Sequence, residues 1–211
     1  NCSVALVIPN TLGGCRVTSI GLSAFPSRAK LTSVTVPAGV TDIVGSPFSR
    51  CGGLTDINVD AANPNYSSLD GLLFNKSRTL LIHCPRGKAG TCTIPAGVTA
   101  IGDSAFASSG LTRIAIPASV ARIGTSAFAS CASLTAITVD AANLCLSSLD
   151  GVLFNKAQTT LIQYPALRAG PYEIPDGVTG VVAYAFADCT GLAGVIMPPS
   201  LTSMADGLFS R

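Results

Sequence analysis

His83 is the only histidine in the 211-residue chain. A Ser–His–Asp or Cys–His device would have to recruit it, because an activated nucleophile needs a base within hydrogen-bond reach. No nucleophile elbow surrounds it, and the residue 80 positions on is Gln163. His83 is therefore expected to be a strand surface residue rather than a base. Asp60, Asn63, Asn65 and Asp70 suggest a calcium loop, but they lack the spacing of such loops and a closing Glu. The equivalent run keeps Asp140, Asn143 and Asp150 and carries Cys145 in place of Asn65. Asx turns, in which short side chains bond their own backbone, fit that pattern better. The 11 acidic residues form no cluster, so no carboxylate pair is poised for hydrolysis. Gly13-Gly14 and Gly52-Gly53 read as turns rather than phosphate cradles. No catalytic, cofactor-binding or metal-ligating set emerges; the chain is expected not to be an enzyme and to need no cofactor.

The eight cysteines are Cys2, Cys15, Cys51, Cys84, Cys92, Cys131, Cys145 and Cys189, with no C-x₂-C pair of the kind a zinc site uses. Cys51, Cys131 and Cys189 share one position, three after a phenylalanine, and are expected to stack as small buried residues. Cys84 and Cys92 map, 80 residues on, to Tyr164 and Tyr172. Two positions that change together imply contact, so a Cys84–Cys92 disulfide is expected. Cys2 and Cys15 bracket an enlarged first turn, where a second disulfide is expected. Such bridges would place the protein outside the cytosol. Asn1, Asn65 and Asn75 open N-x-S triplets, which matter only in a eukaryotic secretory protein.

The elements that position these residues are best seen in LTRIAIPASVARIGTSAFASCAS, residues 111–133. Ile114 and Ile116 share one face of an extended strand, with Arg113 and Ala115 on the other. Pro117 ends the strand because it has no N–H for a ladder. Val120 and Ile123 start a second short segment, and the small-residue run around Ala127–Phe128 suits a helical or 3₁₀ turn. A unit this short cannot bury its apolar face alone, but stacked copies bury one another's. The residue before each strand end runs Ile8, Val36, Val59, Ile94, Ile116, Val139, Ile174, Met197, which marks eight coils. A phenylalanine column agrees, at positions 25, 48, 106, 128, 186 and 209, with Phe74 and Phe154 in the two long coils.

A longer period of 80 residues is superposed, pairing Leu31 with Leu111 and Pro85 with Pro165. The long coils span 60–90 and 140–170. Each holds Asp-Gly, an apolar run (Leu72–Phe74; Val152–Phe154), a polar turn (Asn75–Ser77; Asn155–Ala157) and a second run (Leu80–Ile82; Leu161–Ile162). The pattern predicts a β-hairpin standing on the coil edge.

The motif L-x-x-I-x-I-P-x-x-V-x-x-I-G-x-x-A-F-x-x-C, complete at 111–131 and matched at 31–51 with Ser46-Pro47 where Ser-Ala is usual, resembles the BspA-like (Treponema pallidum type) leucine-rich repeats. Asp70–Lys76 and Asp150–Lys156 resemble that family's D-G-v-L-f-n-k variant. The implied fold is a leucine-rich repeat solenoid: mainly β, about eight stacked coils with short helical or 3₁₀ turns, and two hairpin-bearing long coils. It forms a single domain over 1–211, expected to be an excerpt of a longer chain because neither end carries an evident polar cap. The resemblance implies a secreted or cell-surface protein, extracellular, that binds host, matrix or neighbouring-cell proteins in adhesion.

Composition agrees. Charged residues are 11% and hydrophobic ones 48%, with mean hydropathy +0.51, which suits a stack whose exposed sites are Ala, Thr, Ser and Gly. Net charge is +2 with no basic run, so nucleic acid is not an expected partner. No stretch is long and apolar enough for a membrane span, and NCSVALVIPN lacks the basic opening of a signal peptide. The outward strand residues Ser33, Thr35, Asp56, Asn58, Thr93, Arg113, Thr138 and Glu173 form the candidate partner-binding strip, which fits a protein ligand. A carbohydrate- or cell-wall-binding module is the alternative, weakened by 6% aromatics and no Trp.

Overall fold

The computed structural model describes residues 4–22, 24–25 and 28–210. The alternating apolar residues make eight leading strands: Val4–Val7, Leu31–Val36, Asp56–Val59, Ala89–Thr93, Gly110–Ile116, Ala136–Val139, Gly170–Glu173 and Leu192–Ile196. Each turns one face inward. In Leu31–Val36, Val34 and Val36 are buried while Ser33 and Thr35 face out. The strands pair in parallel with like residues in register: Val34 with Ile57, Cys92 with Ile114, Ile114 with Ile137, and Tyr172 with Val195. Identical steps put each apolar face on its neighbour, which gives a β-solenoid of about nine turns, close to the eight coils expected.

Three features hold the coils together. Leucine, isoleucine, valine and phenylalanine fill three successive core clusters, each fully buried large side chain contributing about 1.5–3 kcal/mol. A second column of short parallel strands runs alongside, as in Leu80–His83 with Ala100–Ile101 and Arg122–Ile123. Threonine hydroxyls stitch coil to coil: Thr55 Oγ1 donates to Thr32 O (3.1 Å), Thr135 Oγ1 to Thr112 O (2.8 Å) and Thr179 Oγ1 to Thr159 O (3.2 Å).

Two sequence expectations need correcting. The first is helical or 3₁₀ turns around the A-F positions: the described residues contain neither. Ser104 and Ser108, then Ser126 and Ser130, take left-handed φ values between 52° and 60°. A left-handed residue every fourth position breaks a right-handed helix. The freed N–H groups bond across coils instead, from Ser104 to Thr125 O, Phe106 to Ala127 O and Ser108 to Ala129 O (2.8–3.0 Å).

The second concerns the hairpin on the coil edge: its two strands do pair antiparallel, as expected, but the hairpin does not stand alone. Each long coil carries a three-stranded antiparallel meander, Tyr66–Leu69, Leu72–Asn75 and Leu80–His83 in the first and Leu146–Leu149, Val152–Asn155 and Thr160–Gln163 in the second. The third strand of each joins the parallel ladder of the next coil, so the meander is part of the stack. Leu73, Phe74, Leu153 and Phe154 are fully buried, as expected of residues that pack. Asp70-Gly71 and Asp150-Gly151 form the two-residue turns, with φ of 50° and 74° in the first. Positive φ at both centres is the turn whose twist matches paired strands. A Cβ on Gly71 would lie 2.6 Å from Asp56 Oδ1 and 2.9 Å from Thr55 O, so glycine is required there.

Candidate binding surface

The outward residues of the leading strands are where the sequence placed them. Asn58, Thr93, Arg113, Thr138 and Glu173 are exposed, and Ser33, Thr35 and Asp56 half-buried. Strand register brings some of them together. Ser33 lies beside Asp56 and Thr35 beside Asn58. Thr93 lies beside Ala115, which lies beside Thr138, with Arg113 one pleat away. Glu173 stands apart, in a third ladder with Ile196.

The strip is thus three short ladders rather than one ribbon, and the meander turns divide it. Ile57 N–H donates to Gly71 O (3.0 Å) and Ile137 N–H to Gly151 O (2.8 Å), so each turn takes the ladder edge that the next strand would occupy. Basic residues brace the turns: the Lys88 ammonium donates to Asp70 O and the Arg168 guanidinium to Asp150 O. Sequence reading missed this division. The signal was the two-residue spacing of Asp-Gly between Leu69 and Leu72. The middle ladder borders a shallow groove of about 290 Å³, lined by Thr93, Ala115, Ile116, Pro117, Thr138 and Asp140 among others.

The residues with chemical potential are occupied structurally. Asn63 Nδ2 donates to Pro37 O and Val40 O (both 2.9 Å), while its Oδ1 accepts from the N–H groups of Asn65 (2.9 Å) and Tyr66 (2.8 Å). Asp60 Oδ1 accepts from Ala62 N–H (2.9 Å), an Asx turn. Asn143 and Asp140 repeat both arrangements. Among the described residues, no three metal-ligating side chains gather at one place.

The cysteine expectations divide. Cys51 and Cys131 are buried, and each thiol points at the carbonyl of a preceding phenylalanine, Phe25 (3.5 Å) and Phe106 (3.0 Å); Cys189 is only half-buried. The paired change at 84 and 92 does mark contact, since the counterpart rings of Tyr164 and Tyr172 lie 4.7 Å apart. The expected Cys84–Cys92 bridge is nevertheless not formed: both are free thiols. The apolar core holds a protonated thiol without cost. Burial pushes the Cys84 thiol far up and the Cys92 thiol up to about 11, with Lys88 pulling the other way. Cys15 is a free, exposed thiol, and Cys2 lies outside the described residues.

His83 lies on a strand, as expected, but the expected surface position is wrong: it is buried, at 7% exposure. Burial lowers its pKa to about 4, so the ring is neutral at physiological pH. No helix among the described residues is long and apolar enough to cross a membrane.

Comparison with known proteins gives one consistent result. The model of the BspA type leucine rich repeat region matches residues 5–85, 83–167 and 170–211. A leucine-rich repeat protein from Eubacterium ventriosum is similar in structure, with 28% identity and a TM-score of 0.65 over 94% of this chain. This chain spans 50% of that protein's length. A leucine rich cell surface protein from Faecalibacterium prausnitzii is 28% identical, with a TM-score of 0.55, over 99% of this chain and 67% of its own. The pneumococcal vaccine antigen PcpA shares the fold, at 21% identity and a TM-score of 0.55, over 97% of this chain and 68% of its own. No curated protein matches the chain.

Proposed function

The chain belongs to the BspA-type leucine-rich repeat family, and on that premise we propose that it is a non-enzymatic, extracellular repeat domain that binds a protein partner in adhesion. The observation that carries this reading is the middle ladder. Thr93, Ala115 and Thr138 stand in register, Arg113 projects beside them, and an open groove runs along their strand ends. A rigid row of mixed polar and apolar groups suits a protein ligand, with an arginine as the natural anchor. The ladders with Ser33, Thr35, Asp56 and Asn58, and with Glu173, extend the contact. The description of the Faecalibacterium relative as a cell surface protein supports the extracellular assignment.

The test is retention of the domain on immobilised matrix proteins and, in parallel, on a glycan array. Protein binding weakened at least about tenfold by Arg113→Glu, with unchanged thermal unfolding, is the expected result, about 1.4 kcal/mol or more at an anchor. Glycan retention with no protein partner would overturn the proposal in favour of a carbohydrate-binding module.

A further inference from the structure

Successive coils touch backbone to backbone where one coil ends and the next leading strand begins. A Cβ on Gly53 would collide with Ala29 O, and one on Gly87 would lie 2.8 Å from both Gly53 C and Leu54 O. Gly87 N–H donates to Leu54 O (2.7 Å). Residues 29, 53 and 87 therefore form one column on three successive coils. Arg28 and Lys30 flank its first member and Arg86 and Lys88 its third, while Arg50 precedes the second. Arg28, Lys30, Arg50 and Arg86 are exposed, and Lys88 is half-buried. Separate coils thus assemble five cations along one corner of the stack, although the sequence holds no basic run.

Contacts across coils tie the group together. Arg86 Nη1 donates to Ser49 O (3.4 Å), next to Arg50. Burial pushes the Cys51 thiol up and Arg28, through its backbone and its charge, pulls it back, so Arg28 lies near the residue that follows Arg50. Arg86 and Lys88 bond main-chain oxygens, which leaves their charges unneutralised. Asp70, in the turn that Lys88 braces, is the acid of this neighbourhood; the Asp56 carboxylate beyond it accepts from Thr55 Oγ1 (2.6 Å). The equivalent positions 80 residues on are Ser108, Gly110, Ser130, Ala166 and Arg168. The same frame is built there with one cation, so stacking does not require the other four.

On the adhesion reading, in which the partner is a protein, we propose that this ridge binds an acidic, extended segment of it, laid across the three coils. Adjacent strands lie about 4.8 Å apart, so Arg28 and Arg86, two coils apart, present their charges over roughly 10 Å. A compact anion meets one of them, whereas an extended chain with carboxylates at intervals meets several. Each guanidinium fork can hold a carboxylate by two parallel hydrogen bonds. Lys30 precedes Leu31 and Lys88 precedes Ala89, so the ridge stands at the start of leading strands and is continuous with their outward strip. A partner seated on the strip therefore reaches it. Sulfated oligosaccharides carry the same charge and are the competing arm of the test.

The test follows the fluorescence anisotropy of a labelled oligoglutamate titrated with the whole chain at physiological ionic strength, beside a sulfated oligosaccharide of matched charge. Oligoglutamate is expected to bind saturably, and added salt to weaken it, as for exposed charges. Arg50→Ser combined with Arg86→Ala, which installs the residues of the other half, should weaken binding at least about tenfold with unchanged thermal unfolding. Arg122→Ser combined with Lys156→Ser removes the same charge from exposed sites elsewhere and should leave binding unchanged. Three results would each overturn the proposal: no saturable binding of oligoglutamate, equal losses in the two double variants, or tighter binding of the sulfated oligosaccharide that the ridge variant abolishes. The last would assign the ridge to a glycan. The adhesion reading is tested on matrix proteins through Arg113, so either result can fail without the other.

Discussion

Residues 60–90 and 140–170 are two copies of one long coil, and they differ in a correlated way. Both keep the meander, the Asp-Gly turn and the buried asparagine with four hydrogen bonds. The first then carries His83, Cys84, Lys88 and Cys92; the second carries Gln163, Tyr164, Arg168 and Tyr172. The second set forms a cation–aromatic group, although its Tyr164 hydroxyl is buried without a partner. The Arg168 guanidinium lies 5.8 Å from the Tyr164 ring centre and 5.7 Å from that of Tyr172, a planar cation over aromatic faces. In the first set the thiols are small, lysine suffices for the turn carbonyl, and a histidine nitrogen stays unpartnered. The comparison teaches that the frame is common to both copies, whereas the filling beside the phenylalanine column is set copy by copy.

The largest way to break that comparison is to empty the second filling. Tyr164→Ala removes a fully buried ring that touches Tyr172 and Phe186, and should cost about 3–5 kcal/mol. Cys84→Ala removes only one sulfur and should cost far less. Equal losses in denaturant unfolding would show the two fillings to be equivalent. Next is the shared frame. Asn63→Ala and Asn143→Ala each strand two carbonyls and two N–H groups, so each should cost on the order of 3 kcal/mol. The two losses should agree; a large difference would mean that the frame is not common.

The turns sharpen the contrast further. Gly71→Ala meets a carboxylate oxygen at 2.6 Å and a carbonyl oxygen at 2.9 Å, whereas Gly151→Ala meets the Ala136 methyl at 2.9 Å. Both also suffer left-handed strain of about 1–2 kcal/mol. Gly71→Ala should be the more damaging by roughly 1 kcal/mol, read as the lower midpoint in urea. Smallest, and opposite in sign, is Tyr164→Phe. The Tyr164 hydroxyl is buried without a partner, so its removal should be neutral or stabilise by about 1 kcal/mol.

Much of the solenoid was legible because stacking forces one spacing on every coil. The alternation in Leu31–Val36, the strand-ending Pro117 and the column Phe48, Phe106, Phe128 each report the same fold. The outward strip followed from the pleat. Three things were not legible. Left-handed serines such as Ser104 and Ser108 look like helix residues by composition, and only the cross-coil hydrogen bonds explain their φ values. The meander's entry into the parallel ladder depends on pairing between Leu80–Leu81 and Ala100–Ile101, about 20 residues apart and invisible to local periodicity. Finally, the Cys84–Cys92 exchange with tyrosines reported proximity correctly, but proximity does not specify a bond. Adding the Lys88–Arg168 change would have pointed to a cation–aromatic group in the second copy.

The claim that the copies part at the break in the phenylalanine column is tested most directly by the ionisation of His83. Its folded pKa lies below its unfolded value, so the neutral ring stabilises the fold above about 6.5, and this is lost as pH falls from about 6.5 through about 4. Relative to His83→Gln, the protein should lose on the order of 3 kcal/mol across that window. The decisive measurement is a ¹⁵N NMR pH titration of the imidazole of the folded protein. A midpoint near 4 is the predicted result; a midpoint near 6.5 would mean that the ring is solvated and that no unpartnered nitrogen distinguishes the first copy from the second.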